Sequence, residues 1–161
     1  MGDLLVRIGQ SVKTNPENHL VIMSDANDLF IKARMAALEV PVNAIFTNPA
    51  TLSADGSLLQ ISPFENQTCC QVCPVNLCKG KVLEKYIEEK GPFDRVYYFG
   101  DGGNDYCPAS KLGENDTVFV REGYKLAKLI REGKYKGMDV DIKAKVIFFS
   151  DARTIIDSLE L

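Results

Sequence analysis

Five short apolar runs divide the chain at irregular intervals: LVIMS (20–24), NAIFT (43–47), RVYYFG (95–100), TVFV (117–120) and KVIFFS (145–150). Each is too short for a helix and lacks strict alternation, as expected of parallel strands covered on both faces. Between them the apolar spacing turns helical. Leu4, Leu5, Ile8 and Val12 predict an amphipathic helix over 4–13, and Val82, Leu83, Tyr86 and Ile87 predict another over 79–90, closed by Gly91-Pro92. Helices are further expected over 26–38, 104–112, 122–132 and 152–160. Asn48-Pro49 and Asp55-Gly56 predict a loop or small hairpin within 48–64.

Strands that alternate with helices predict an α/β fold: a Rossmann-like domain, truncated, with a largely parallel five-stranded sheet and helices on both faces. No repeat or composition break divides the chain, so residues 1–161 are expected to form one domain. In such sheets ligands bind beyond the carboxyl ends of the strands. That rule selects Ser24 and Asp25, Thr47 and Asn48, and the stretch from Gly100 to Asp105.

Composition narrows the function classes. Hydrophobic residues make up 45% and charged residues 25%, which suits a soluble domain. A net charge of −3 gives no basic surface for nucleic acid or acidic lipid, and the basic run between Arg121 and Lys136 is read as a solvated helix face. No apolar run reaches the length of a membrane span, and MGDLLVRIGQ does not form a signal peptide, so the cytoplasm is expected. Five cysteines, an odd number, are expected to be reduced. The single histidine, His19, is read as a surface residue.

The densest chemistry is GDGGND, Gly100 to Asp105, directly after a strand. Two carboxylates four residues apart at a strand end can serve one Mg²⁺, Asp101 directly and Asp105 directly or through water. Ser24, at the end of LVIMS, offers a hydroxyl beside the amides of a following helix, where a phosphate oxygen can bind. Lys79 heads the helix KGKVLEKYIEEK, a position opposed by the helix dipole, and is either a solvated lysine, as it would read by itself, or placed to neutralise phosphate and nearby carboxylates.

Strand-Ser, Lys-Gly at a helix start and strand-GDGxND together resemble motifs two, three and four of the haloacid dehalogenase superfamily. SDAN (24–27), FTNPA (46–50), CPVNLCKGKVL (73–83) and YFGDGGNDYCP (98–108) are similar to its phosphoethanolamine/phosphocholine phosphatase and pyridoxal-phosphate phosphatase branch. The resemblance implies Mg²⁺-dependent hydrolysis of small phosphorylated metabolites through an aspartyl-phosphate. It implies Asp101 as metal ligand, Asp105 as its supporting carboxylate, and Ser24 and Lys79 on the transferring phosphoryl group. Asn104 would help hold the site or substrate, and Asp25 and Asn27 would face the leaving group.

One departure stands out. The family opens with an apolar strand ending in D-x-D-x-T, whose first Asp attacks phosphorus and whose second handles protons. Here the sole D-x-D is Asp139-Val140-Asp141, which follows no apolar strand. The chain is therefore expected to be a truncated, inactive form without nucleophile, central strand or cap. It would then be a Mg²⁺- and anion-binding module or the partner of a full-length homologue. The absent strand would leave a slot between the strands ending at Ser24 and Gly100, to be closed by their pairing or by self-association. Cys69 or Cys70, with Cys73 and Cys78, offers three thiolates, and Cys107 is a possible fourth. The spacing C-x₂-C-x₄-C is half of a paired-knuckle zinc site, so packing thiols are expected; the alternative is a small zinc-bound interaction protein.

Overall fold

The computed structural model describes residues 1–159, which form two compact units: Met1–Asn66 joined by the residues from Asp151 onward, and Gln67–Ser150. No helix among the described residues is long and apolar enough to cross a membrane.

In the first unit, helix α1 (Gly2–Thr14) precedes strand β1 (Val21–Asn27), helix α2 (Asp28–Ala37) and strand β2 (Ala44–Asn48). β1 and β2 pair in parallel, with Ser24 opposite Thr47. A small antiparallel hairpin, β3 (Ala50–Leu52) and β4 (Leu59–Ile61), follows. β1 runs three residues further than the apolar pattern predicts, to Asn27. The reason is local: a helix N-cap must be extended, and Asn27 adopts φ −138°, ψ 158° while its Oδ1 accepts from the Phe30 amide at 3.1 Å. Strand and helix therefore abut without a loop. Leu4 and Met35 are buried here, and α1 packs on a 3₁₀ helix over Ala152–Ser158, where an α-helix was expected; residue 160 of that expected helix lies outside the described residues.

The second unit carries helix α3 (Lys79–Lys90), strand β5 (Tyr97–Gly100), a 3₁₀ turn (Gly103–Asp105), the short helix α4 (Tyr106–Ala109), strand β6 (Thr117–Arg121) and helix α5 (Lys125–Glu132). Strands β7 (Lys134–Tyr135) and β8 (Met138–Asp139) form a two-residue-arm hairpin that the apolar pattern does not announce. Strand β9 (Lys145–Phe149) completes a parallel sheet of order β5-β6-β9. β6 is the middle strand, and Val118, Phe119 and Val120 are wholly buried, which explains its unbroken apolar run. Phe119 stacks on Phe99 with ring centroids 4.7 Å apart.

The fold is α/β with parallel sheets, as the sequence predicts. All five parallel strands are present, but they fall into sheets of two and three, not one of five. β1 has a paired neighbour only in β2, and β5 only in β6, among the described residues. The basic residues Lys125, Lys128, Arg131 and Lys134 lie exposed on and after α5, and Arg131, Lys128 and Lys134 pair with Glu122, Glu132 and Asp139.

Candidate active site

The turn after β5 is organised around a single carboxylate. Asp105 is 3% exposed, and both of its oxygens are fully used. Oδ1 accepts from Lys79 Nζ at 2.7 Å and from the Tyr98 hydroxyl at 2.7 Å. Oδ2 accepts from the Asp101 amide at 2.9 Å and the Gly102 amide at 2.8 Å. Four donors fill the four lone-pair positions of a carboxylate. Asp105 thus fixes the backbone from which Asp101 projects. The turn is tight enough that a Cβ at Gly100 would lie 2.7 Å from the Asp105 Cβ, which accounts for the glycine.

Asp101 is different. Its carbonyl accepts from the Leu126 amide at 2.9 Å, anchoring it to the start of α5, but its half-buried carboxylate has no hydrogen-bond or ion-pair partner among the described residues. An unpaired carboxylate at a strand end, held on a fixed backbone, fits a Mg²⁺ ion that takes one or two protein carboxylates and fills its shell with water and phosphate oxygen.

Lys79 is drawn out of solvent, 8% exposed, into the ion pair with Asp105. Asn104 is half-buried in the same turn, its Oδ1 folded over Gly102. Tyr98, unforeseen from the sequence, completes the cluster; burial first, and then the Asp105 charge, push its hydroxyl well above the usual tyrosine range. The alternation of Tyr97 and Tyr98 along the strand signals that one of the two faces inward but not what it meets.

Ser24, Asp25 and Asn27 belong to the first unit, and Lys79, Asp101, Asn104 and Asp105 to the second. Ser24 is half-buried, and its Oγ accepts from the Ala26 amide at 3.2 Å. Thr47, its neighbour across the sheet, buries an Oγ1 with no hydrogen-bond partner among the described residues. Asp25 is exposed, and its carbonyl accepts from Asn48 Nδ2 at 2.8 Å. Asn27 is 3% exposed and commits its side-chain oxygen to capping α2.

Beside the carboxylate cluster four cysteines converge: Cys70, Cys73, Cys78 and Cys107, whose sulfurs all lie within 4.8 Å of one another. Cys69 is exposed and stands outside the group. Hydrogen bonds from the Cys73 thiol, and then from Cys70, Cys78 and the Gly80 amide, draw the Cys107 thiol down to about 6 against the opposing effect of burial. Burial is the main cause that pushes Cys78 up to about 11.

The chain matches the family described as "Putative Phosphatase" over residues 3–160. It is 34% identical to human "Phosphoethanolamine/phosphocholine phosphatase" over 142 residues, covering 84% of this chain and 52% of that protein. It is 34% identical to the mouse "Pyridoxal phosphate phosphatase PHOSPHO2" over 146 residues, covering 87% of this chain and 59% of that one. With the chicken "Phosphoethanolamine/phosphocholine phosphatase" it shares 35% over 123 residues, covering 73% of this chain and 45% of the relative. No solved structure matches. The chain spans about half the length of the curated relatives it matches. A family match over nearly all of its residues, together with the GDGGND turn built as described, makes this chain a member of that phosphatase family within the haloacid dehalogenase superfamily.

Proposed function

We propose that these residues form the Mg²⁺- and phosphate-holding part of a cytoplasmic phosphomonoesterase acting on small phosphorylated metabolites of the phosphocholine, phosphoethanolamine or pyridoxal phosphate kind. The substrate class rests on what the relatives are named for. Five free cysteines support a reducing compartment.

The observation that carries the reading is the contrast between two neighbouring carboxylates: Asp105 saturated by four donors, and Asp101, on the backbone that Asp105 fixes, unpaired among the described residues. Asp101 would hold Mg²⁺, with Asp105 as its support. The bound ion would neutralise charge that builds on the phosphoryl oxygens. Lys79 would contact the phosphoryl group by turning part of its hydrogen-bonding capacity from Asp105 to phosphate, and the family resemblance gives Ser24 a phosphate-contact role as well. Asn104 would orient the site. Asp25 would face the leaving group, as would the amide nitrogen of Asn27, whose oxygen is already in use.

An attacking carboxylate is the part these 161 residues do not supply. The lone D-x-D lies in the β7–β8 hairpin region, where Asp139 is exposed and paired with Lys134. On this reading the 161-residue polypeptide binds Mg²⁺ and phosphate without turnover, and a segment bearing D-x-D-x-T, from a partner or a longer chain, supplies the attack.

The test is titration of Mg²⁺ against the amide resonances of the 161-residue protein, followed by inorganic phosphate. Gly100 to Asp105 should shift first, and Asp101→Asn should abolish the shift. A response confined to Asp139 and Asp141 would refute the assignment.

A further inference from the structure

We propose that Cys70, Cys73, Cys78 and Cys107 form a structural zinc site. The cysteines come from three places: an irregular loop, the residue before α3, and the middle of α4. Three of the four are buried and none forms a disulfide. Their sulfurs are spaced for a shared ion. A tetrahedral ion with Zn–S bonds of about 2.3 Å sets its ligand sulfurs about 3.8 Å apart. Cys107 Sγ lies 3.7 Å from Cys70 Sγ and 3.9 Å from Cys78 Sγ, and every pair is within 4.8 Å. A disulfide would need about 2.05 Å and could join only two of them. Four soft thiolates, with no further donor in the group among the described residues, suit zinc and leave no open position for a substrate, which is the pattern of a structural site.

Local geometry supports the assignment independently. In the C-x-x-C turn the Cys73 amide points at Cys70 Sγ, 3.5 Å away, as it does when a thiolate needs a donor beside its metal. At Gly80 a Cβ would lie 2.5 Å from Cys107 Sγ, so the start of α3 approaches the sulfur as closely as any residue permits. The loop itself needs fixing. Residues 62–78 contain no helix or strand. In this stretch Gln67 Nε2 donates to the carbonyls of Cys70, Cys73 and Pro74. A long irregular segment held in one conformation requires such internal anchors, and a metal clip is the strongest available.

The site also has a mechanical consequence. Cys78 adjoins Lys79, and Cys107 is two residues beyond Asp105. Zinc would therefore staple together the two segments that carry the buried ion pair. The inference does not depend on phosphatase activity and would survive its failure.

The experiment uses the whole 161-residue protein, purified with a reductant and without chelator. Elemental analysis should find about one zinc per chain. Replacement with Co²⁺ should give the intense visible and near-ultraviolet bands of a tetrahedral tetrathiolate complex. Cys69→Ser should retain the zinc, while Cys70→Ser and Cys73→Ser should lose it. A reduced wild-type protein that neither carries zinc nor gives that Co²⁺ spectrum would overturn the proposal. So would equal zinc content in Cys69→Ser and Cys70→Ser. Should a variant fail to fold, the wild-type Co²⁺ spectrum decides alone.

Discussion

Lys79 Nζ lies 2.7 Å from Asp105 Oδ1, with side chains only 11% and 5% exposed. A lysine in the first turn of a helix works against the helix dipole. The pairing offsets that penalty and removes the cost of burying either charge alone. Asp105→Asn leaves Lys79 buried without a counter-charge and sets an amide group against at least one of the four donors. Such a change is expected to cost about 3–5 kcal/mol. Lys79→Met should cost less, because the carboxylate keeps Tyr98 and two backbone amides. Urea unfolding of both variants measures the difference, and equal losses would mean that Lys79 is the carboxylate's essential partner.

The parts of this site that lie close together in sequence are legible from it. GDGGND announces a strand-end turn through its glycines, and two carboxylates within it point to a cation. Lys79 is conspicuous because nothing in helix physics favours it there. What depends on long-range packing is not legible. Tyr98, though near Asp105 in sequence, is hidden because the strand alone does not say which of Tyr97 and Tyr98 faces the turn. Cys107 stands 29 residues beyond Cys78, and the contact between α3 and α4 brings them together. The spacing of the clustered cysteines alone suggested half a metal site and could not choose between Cys69 and Cys70. The resemblance places Asn27 toward the leaving group, and nothing local in the sequence shows that its side-chain oxygen also caps α2. The division of the five parallel strands into a sheet of two and a sheet of three depends on which edges meet, and apolar runs carry no information on that.

Two carboxylates predict how the first unit responds to acid. Asp55, in the turn between β3 and β4, accepts from the Ser53 hydroxyl and from the amide and hydroxyl of Ser57, which lowers its carboxyl from the ordinary 3.8 to about 2. Asp151, capping the C-terminal 3₁₀ helix, is lowered to about 2 by the Arg153 guanidinium and amide. Because folding lowers both, each contributes stability that is complete above the unfolded value and is lost as pH falls from about 4 through about 2. Carboxyl NMR titrations should give midpoints near 2 for both. Added salt should raise the Asp151 midpoint, since its partner is charged, and leave Asp55 nearly unmoved, since its partners are neutral. Ordinary midpoints at low salt would contradict the hydrogen-bonding described.

β1 and β5 each leave one edge without a strand partner among the described residues. Open strand edges are templates for pairing with another chain unless charge or proline blunts them. β5, reading Tyr97 to Gly100, carries neither, and β1 carries only Asp25. The 161-residue polypeptide should therefore associate as its concentration rises, by sedimentation velocity, and an added segment able to pair at these edges should suppress the association. A monomer that persists across the accessible concentration range would argue that the edges are covered by other means.

Hydrolysis is the sharpest test of what these residues do alone. Phosphoryl transfer depends on positioning, on charge neutralisation and on an attacking group in line with the leaving oxygen. On the proposed reading Asp101 and Lys79 would address the first two. None addresses the third: Asp105 has all four acceptor positions occupied, Ser24 directs its oxygen to the Ala26 amide, and Asp139 sits exposed beside Lys134. Loss of a nucleophile that acts as part of a unit costs on the order of 10⁶ in rate. The purified 161-residue protein with millimolar-range Mg²⁺ should therefore leave p-nitrophenyl phosphate and pyridoxal phosphate intact, while still showing the Mg²⁺-dependent shifts at Gly100 to Asp105. Activity should appear when a polypeptide bearing D-x-D-x-T is supplied, and Asp101→Asn should remove it. Turnover by the protein alone, abolished by Asp101→Asn, would mean that an attacking group lies within these residues, with Asp25, exposed at the end of β1, the first to substitute.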